Sequence, residues 1–219
     1  MITAWDIKQD PQIRTYIEKA DEALAALGFT EHAFAHVTRA AHFAQKLLSD
    51  LGYPERMCEL AWIAGYMHDI GNVVNRIDHA QSGAVMAFRI LDKMGMPADE
   101  IATICSAIGN HDESTAFPVN PVAAALILSD KTDVRRTRVR NRDMSSFDIH
   151  DRVNYAVEKA STRLREDHKA IVLTLEIDTS MSPVIDYFEI FLDRMLLCRK
   201  AAEKLGLAFQ LVVNGQQIL

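Results

Sequence analysis

Four of the chain's eight histidines and two of its aspartates form an ordered series that constrains how its segments can pack. Neutral imidazole and ionised carboxylate groups are ligands that Mn²⁺, Fe²⁺ and Zn²⁺ accept, so the series indicates a metal centre drawn from several helices. The chain is therefore expected to be a metalloenzyme. The series consists of His36, His68, Asp69, His79, His111 and Asp130.

Apolar residues at helical spacing, with proline and glycine at the segment ends, predict helices in the first three quarters of the chain. In the segment PERMCELAWIAGYMHDIG we expect Gly71 to stop the helix in the left-handed conformation, which leaves His68 and Asp69 on its last turn. The fold class is thus mainly α. The predicted helices cover about residues 11–28, 30–52, 54–71, 79–94, 97–108, 121–130 and 148–165.

The sequence pattern changes after Glu166. Apolar residues alternate with more polar ones over residues 171–177 and 207–213, which predicts two half-buried strands. An apolar stripe at steps of three and four runs from Pro183 toward Leu205 and predicts a long amphipathic helix between the strands. This strand, helix and strand fit a βαβ unit.

We therefore expect two parts in the chain. Residues 1–166 form a helical domain whose metal-site core spans about residues 30–140, and residues 167–219 form a small C-terminal α/β (βαβ) appendage. Two strands alone are marginal, so the pair must pack on the helical body or extend across a partner chain in a homodimer. Asn214 and Gly215 favour a tight hairpin into a short final strand.

Composition and charge exclude several functions. The formal net charge of -6 argues against a general nucleic-acid binder, because the phosphate backbone favours surplus Lys and Arg. No stretch of about 18 consecutive apolar residues predicts a membrane span, and the N-terminus lacks the pattern of a secretory signal. The three cysteines are widely spaced in apolar helical contexts, which suits reduced thiols. We expect a cytoplasmic protein.

A histidine on an amphipathic helix is more often structural or surface-exposed than a ligand, which is our interpretation of His42, His150 and His168. The pair His68 and Asp69 differs because it ends an apolar helix, where an unpaired charge is costly. Adjacent side chains on a helix diverge by about 100°, so a metal bound by both residues requires an irregular last turn.

The pattern of His36 with Arg39 three residues later, then His68-Asp69-Ile-Gly, then Asp130 after an apolar helix resembles the HD-domain superfamily of metal-dependent phosphohydrolases. The resemblance implies an HD-domain helical bundle. It also implies that one metal is bound by His36, His68, Asp69 and Asp130.

Two further histidines extend this resemblance. His79 in HAQSGA and His111 in GNHDES are similar to the additional ligands of the dinuclear HD subgroup, in which the aspartate of the pair bridges both metals. The resemblance thus implies a second metal on Asp69, His79 and His111. The ligand set admits Mn²⁺, Fe²⁺, Co²⁺, Ni²⁺ or Zn²⁺.

Other subgroups fit less well. The sequence HDIGN lacks the Glu-Asp that follows the pair in HD-type alarmone hydrolases, and it lacks the acid/base glutamate of the mononuclear deoxynucleotidases. Asp112 and Glu113 follow His111 where cyclic-di-GMP phosphodiesterases have GYP. These two carboxylates are either solvated or placed to bond a ligand histidine or accept a proton. His32, one turn before His36, could line the pocket.

Two neighbouring cations suit phosphoester hydrolysis, because a bridging water loses its proton near neutral pH while both cations neutralise phosphoryl charge. We expect hydrolysis of a nucleotide or another small phosphorylated metabolite by this metal-bridging hydroxide. Asp69 and Lys131 are the expected catalytic residues. The basic run KTDVRRTRVRNR follows Asp130, and we expect Lys131 with Arg135 or Arg136 to hold the substrate phosphate. The more distal arginines could equally form a solvated face or a subunit contact.

Two other functions remain open at this point. The same six residues resemble the ligand set of HD-type di-iron oxygenases, which activate dioxygen, and the basic run would also suit a phosphonate substrate. A non-catalytic HD module that acts in signalling or assembly is the other alternative. A complete ligand set argues against the latter.

Overall fold

The computed structural model describes residues 1–113 and 115–219 and consists of a helical body followed by a small sheet. The predicted fold class is confirmed. None of the described helices is long and apolar enough to span a membrane. The elements are α1 (Ala4–Gln9), α2 (Pro11–Ala26), α3 (Phe34–Asp50), α4 (Glu55–Met67), α5 (His79–Met94), α6 (Ala98–Gly109), α7 (Pro121–Lys131), α8 (Ile149–Ala156), β1 (Val157–Leu164), β2 (Ala170–Ile177), α9 (Val184–Lys204), β3 (Ala208–Val213) and β4 (Gln216–Gln217).

Helix α7 is the central helix of the body. The Asn120 side chain caps it by accepting a hydrogen bond from the Ala123 amide at 2.8 Å, and Pro121 occupies the first turn. The helix is buried from Val122 to Lys131, because α3, α4, α6 and α9 pack around it. Its polar C-terminal end is therefore carried into the interior of the protein.

Helices α3 and α4 pack with their backbones close together at Gly65. A Cβ atom on this glycine would lie 2.7 Å from the Ala41 Cα and 2.8 Å from its amide nitrogen, so no larger residue fits. This close approach holds the first turn of α3, with His36, beside the end of α4, with His68.

The end of α4 differs from the sequence prediction. The α-helix stops at Met67, and a 3-10 turn over Ile70–Val73 follows. Gly71 lies within this turn and is not among the glycines with positive φ, so the predicted left-handed stop is wrong. The glycine is required by space instead, since a Cβ atom there would lie 2.0 Å from the His79 carbonyl oxygen.

The C-terminal sheet contains the predicted βαβ unit. Strands β2 and β3 pair in parallel, with α9 as the connection, and the strand order is β1-β2-β3-β4. The turn at Asn214 and Gly215 leads into the short antiparallel strand β4, as predicted. The sheet thus has four strands from one chain and gives no reason to invoke a partner, so the homodimer stays a prediction.

The last predicted helix is only half correct. Helix α8 ends at Ala156, and residues 157–164 form β1, which pairs antiparallel with β2. The side chains of Ala160, Thr162 and Leu164 are half-buried and alternate with exposed ones, which is the period of a strand. Pairing with β2 outweighs the helical propensity of the Glu, Lys and Arg residues in this segment. The sheet therefore begins before the predicted domain boundary at residue 166.

Candidate metal centre

The structure brings the six side chains of the His/Asp series together from five helices. His36 lies in the first turn of α3, His79 begins α5, and Asp130 lies in the last turn of α7. His68 and Asp69 follow α4 directly, where the backbone leaves the α-helix and turns both side chains inward. His111 follows α6. All six residues are buried.

One carboxylate oxygen of Asp69 faces two of these side chains. Asp69 Oδ2 lies 3.1 Å from His68 Nε2 and 3.6 Å from His36 Nε2. His36 Nε2 lies in turn 3.3 Å from both His68 Nε2 and Asp130 Oδ1. Two imidazole nitrogens and two carboxylate oxygens therefore surround one small volume.

The other carboxylate oxygen of Asp69 faces the remaining two histidines. Asp69 Oδ1 lies 3.6 Å from His79 Nε2 and 4.0 Å from His111 Nε2, and these two nitrogens are 3.2 Å apart. The Asp69 carboxylate thus lies between two groups of donor atoms, one on each oxygen.

The tautomer of each of the four histidines is fixed by its Nδ1. Carbonyl and carboxylate oxygens can only accept a hydrogen bond, so an imidazole Nδ1 facing one must donate, and in the neutral ring its Nε2 keeps a free electron pair. The acceptors are Asp133 Oδ2 for His36 at 2.8 Å, the Gly65 carbonyl for His68 at 2.8 Å, the Arg76 carbonyl for His79 at 3.0 Å and the Ile108 carbonyl for His111 at 2.6 Å.

The electrostatics also suit a cation. Burial alone would raise the pKa values of Asp69 and Asp130, but His68 beside the first and Lys131 beside the second hold both well below their usual range. Burial lowers the pKa values of His79 and His111. The Asp69 carboxylate outweighs burial at His68 and raises its pKa, so a proton competes with a metal for that nitrogen.

These residues fit a metal ion. Asp69 Oδ2 is a buried oxygen with no hydrogen-bond donor among the described residues, which is costly for a carboxylate unless a cation is bound. In the neutral ring the imidazole nitrogens that face it present electron pairs, and at His68 a metal must displace the competing proton. Electron-pair donors that converge on one small volume are the arrangement that a divalent metal completes. Two overlapping triads meet this description, His36 with His68 and Asp130, and His68 with Asp69 and His111.

Of the predicted phosphate-binding residues, only Lys131 reaches this centre. Its ammonium lies 2.7 Å from Asp130 Oδ2, and it lines a cavity of about 360 Å³ that also exposes Asp69 and His79. Arg135 donates to both carboxylate oxygens of Asp133, and Arg136 donates to the Tyr155 carbonyl and stacks on its ring. The expectation that Arg135 or Arg136 holds the phosphate is therefore corrected, since neither lines the cavity.

Other cationic side chains line the cavity instead of Arg135 and Arg136. Arg76, Arg138 and Arg194 line the cavity with Lys131, and so do His32 and His150. His32 is the pocket residue that the sequence suggested, and His150, interpreted as a structural or surface residue, is exposed and lies at the edge of the cavity lining. Arg194, on α9, was missed. Its position one turn beyond Phe191 on the apolar stripe of that helix was the available signal, because a charged residue on a buried face requires a partner.

Sequence reasoning missed Asp133, a neighbour of the candidate metal ligands. Its buried carboxylate accepts from His36 Nδ1, and burial alone would raise its pKa, but the hydrogen bonds from His36 and Arg135 hold the pKa far below its usual value. Arg138 also donates to its backbone carbonyl at 2.9 Å. The ionised carboxylate therefore fixes the ring of His36 and strengthens its Nε2 as a ligand.

Replacing Asp133 with asparagine keeps the shape but removes this charge. We expect metal affinity to fall by roughly 10- to 100-fold, because His36 Nδ1 loses its ionised acceptor and its Nε2 becomes a weaker ligand. Titration of the metal-free protein with Mn²⁺ or Zn²⁺ measures the change. Asp143→Asn, in an exposed turn where asparagine caps as well as aspartate, is the control and should bind as the wild type does. Wild-type affinity in Asp133→Asn would refute the role of Asp133.

The helical body and its converging His/Asp donors are typical of a class of helical proteins that can hold a metal among their helix ends. An HD-domain family profile matches residues 33–152, more than half of the chain. The chain therefore belongs to the HD-domain family. The family binds divalent metals, and this chain has donor groups that can hold one.

Similarity beyond the family is limited. The chain resembles the crystal structure of a predicted HD superfamily hydrolase from an uncultured Thermotogales bacterium, with 23% identity and a TM-score of 0.43 over 59% of this chain and 72% of the other. No curated protein shows significant similarity to the chain.

Proposed function

We propose that the chain is a metal-dependent phosphohydrolase that cleaves a small phosphoester, such as a nucleotide, at a dinuclear site. One observation carries this proposal: the two oxygens of Asp69 face separate groups of donor atoms, and a cavity lined with cations opens on that carboxylate. His36, His68, Asp69 and Asp130 would hold one ion, and Asp69, His79 and His111 the other. When bound, such ions acidify water and neutralise charge that develops on phosphoryl oxygens.

The side chains of the cavity supply the remaining requirements. Burial would lower the pKa of Lys131, but Asp130 and Glu113 raise it, so Lys131 keeps its proton and binds as a cation. With Arg138 and Arg194 it gives a wall of the cavity that attracts and orients an anion. The buried carboxylates of Asp69 and Asp130 stay ionised and keep the neighbouring histidine side chains in place. No side chain has to act as a nucleophile.

The test is metal content together with phosphate release. Protein purified anaerobically should contain two transition metals per chain, and metal-loaded protein should release phosphate from at least one member of a panel of nucleotides and sugar phosphates. Oxygen consumption without phosphate release would favour the oxygenase instead. Bound metal with neither activity would favour a non-catalytic module.

Replacing Lys131 with alanine should lower kcat/KM by about 100-fold or more, because a charge that stabilises the phosphoryl group in a desolvated site is lost. Metal content should stay at the wild-type level, which separates substrate binding from loss of the centre. Arg142→Ala removes an exposed cation from the same basic run and should leave kcat/KM unchanged. Unchanged kinetics in Lys131→Ala would contradict the assignment.

A further inference from the structure

A second carboxylate cluster lies beside the candidate metal centre. The Glu113 side chain sits between two cavity cations that come from different elements, Lys131 at the end of α7 and Arg194 in α9. Lys131 Nζ lies 3.2 Å from Glu113 Oε2, and Arg194 Nε contacts Glu113 Oε1 directly. One carboxylate therefore bridges both cations.

The two cations are fixed independently of Glu113. Lys131 is anchored by Asp130 Oδ2, and the Arg194 guanidinium lies over the Phe191 ring, 4.6 Å from its centroid. The Lys131 side chain is 5% exposed and that of Arg194 is 28% exposed. When the Glu113 carboxylate is displaced, Asp130 still faces these two partly or fully buried cations, and a second anion beside them is favourable, whatever its source.

A phosphate group meets the same requirement as this carboxylate. Both present oxygens that accept charge-assisted hydrogen bonds from lysine and arginine, and phosphate carries the larger charge near neutral pH. The cluster also adjoins Asp130, whose other oxygen faces His36 and His68. An anion held by Lys131 and Arg194 would therefore lie next to the donor groups of the centre.

We propose that Lys131 and Arg194 form a phosphate subsite in which the Glu113 carboxylate takes the place of the substrate phosphate until the substrate displaces it. The inference rests on the proposed function and adds two residues to it, Arg194 as a binding residue and Glu113 as an internal competitor. It also assigns a role to α9, which lies outside the residues matched by the HD-domain family. The C-terminal part of the chain completes the substrate site.

The test is binding of inorganic phosphate to the metal-loaded full chain, measured by calorimetry. Glu113→Gln keeps the size of the side chain but removes the competing charge, so phosphate should bind about tenfold more tightly. Arg194→Met should weaken phosphate binding by about tenfold. The gain from Glu113→Gln should shrink in the double variant, because both effects act through the same contact.

The control is Glu176→Gln, which removes the carboxylate of an exposed ion pair with Lys159 and should not change phosphate affinity. Unchanged or weaker phosphate binding in Glu113→Gln, with the unfolding temperature of the wild type, would overturn the proposal. If Glu113→Gln does not fold, wild-type phosphate affinity in Arg194→Met would overturn it.

The outcomes also separate this inference from the proposed function. If the protein hydrolyses a phosphoester but its phosphate affinity does not change when Glu113 or Arg194 is replaced, the subsite alone is refuted. The expected affinity changes in a protein that hydrolyses no phosphoester would support the anion subsite and refute the hydrolase.

Discussion

Replacing Asp69 with alanine should abolish metal-dependent stabilisation and reduce metal affinity by more than about 100-fold, a larger loss than removing a residue that only orients a ligand. The reason is that both oxygens of Asp69 face donor groups, so one substitution affects both halves of the centre. At a metal concentration near 100 Kd the wild type should gain about 2.7 kcal/mol of unfolding free energy, and the variant less than about 0.5 kcal/mol. Metal analysis and thermal unfolding with and without metal measure both effects.

The metal-free protein should respond differently. Asp69 Oδ2 has no donor among the described residues, and the Asn72 amide that donates to Asp69 Oδ1 also donates to the Asp69 carbonyl at 2.9 Å. The carboxylate also stabilises the metal-free protein through its contact with His68, so the quantity to compare is the gain in stability on adding metal, measured separately for each protein. Asp78→Asn is the control, because Asp78 is exposed and asparagine tolerates its left-handed backbone. Wild-type metal content in Asp69→Ala would contradict the assignment.

The members of the His/Asp series could be found in the sequence because each lies near a helix boundary that local signals mark. His79 begins α5, and His111 follows the end of α6, both as the helical periodicity predicted. In a helical bundle the ends of neighbouring helices lie close together, so residues at these helix boundaries are brought to one place. The structure brings the six side chains together, and their role as ligands stays a prediction that the Asp69 variant tests.

The cations of the cavity could be predicted only in part, because neighbours in sequence need not be neighbours in space. Arg135 lies five residues after Asp130, but its guanidinium is bound to Asp133 and faces away from the centre. Arg194 lies far along the chain and reaches the cavity only because α9 packs on α7. No pattern in the sequence around Arg194 predicts how α9 packs on α7.

Strand β1 shows a different limit of the sequence. Residues 157–164 contain Glu, Lys and Arg residues that suit an exposed helix, and the alternation of small and long side chains is weak. The strand forms because β2 offers an edge for pairing over residues 171–177, with Val157 opposite Ile177, Leu164 opposite Ile171 and one register shift between Val157 and Lys159. Strand propensity depends on such partners more than helix propensity does.

Replacing Gly71 with alanine should lower the free energy of unfolding by about 3 kcal/mol or more, because the new methyl group has no room. Its Cβ would lie 2.0 Å from the His79 carbonyl oxygen and 2.5 Å from the Gly83 amide nitrogen. Both are backbone atoms of α5, so relief requires that the whole helix move away from the turn after α4. Denaturant unfolding of the metal-free protein measures the loss.

The same displacement should separate the two halves of the centre. His79 begins α5, whereas Asp69 lies two residues before Gly71, so a shift of the helix lengthens the 3.6 Å distance between His79 Nε2 and Asp69 Oδ1. We expect the folded fraction of Gly71→Ala to bind less metal than the wild type. Gly109→Ala is the matched control, since its Cβ would meet only the Ala84 Cβ at 3.6 Å, and its stability should stay within about 1 kcal/mol of the wild type. Equal stability in the two variants would show that α5 does not pack closely against Gly71.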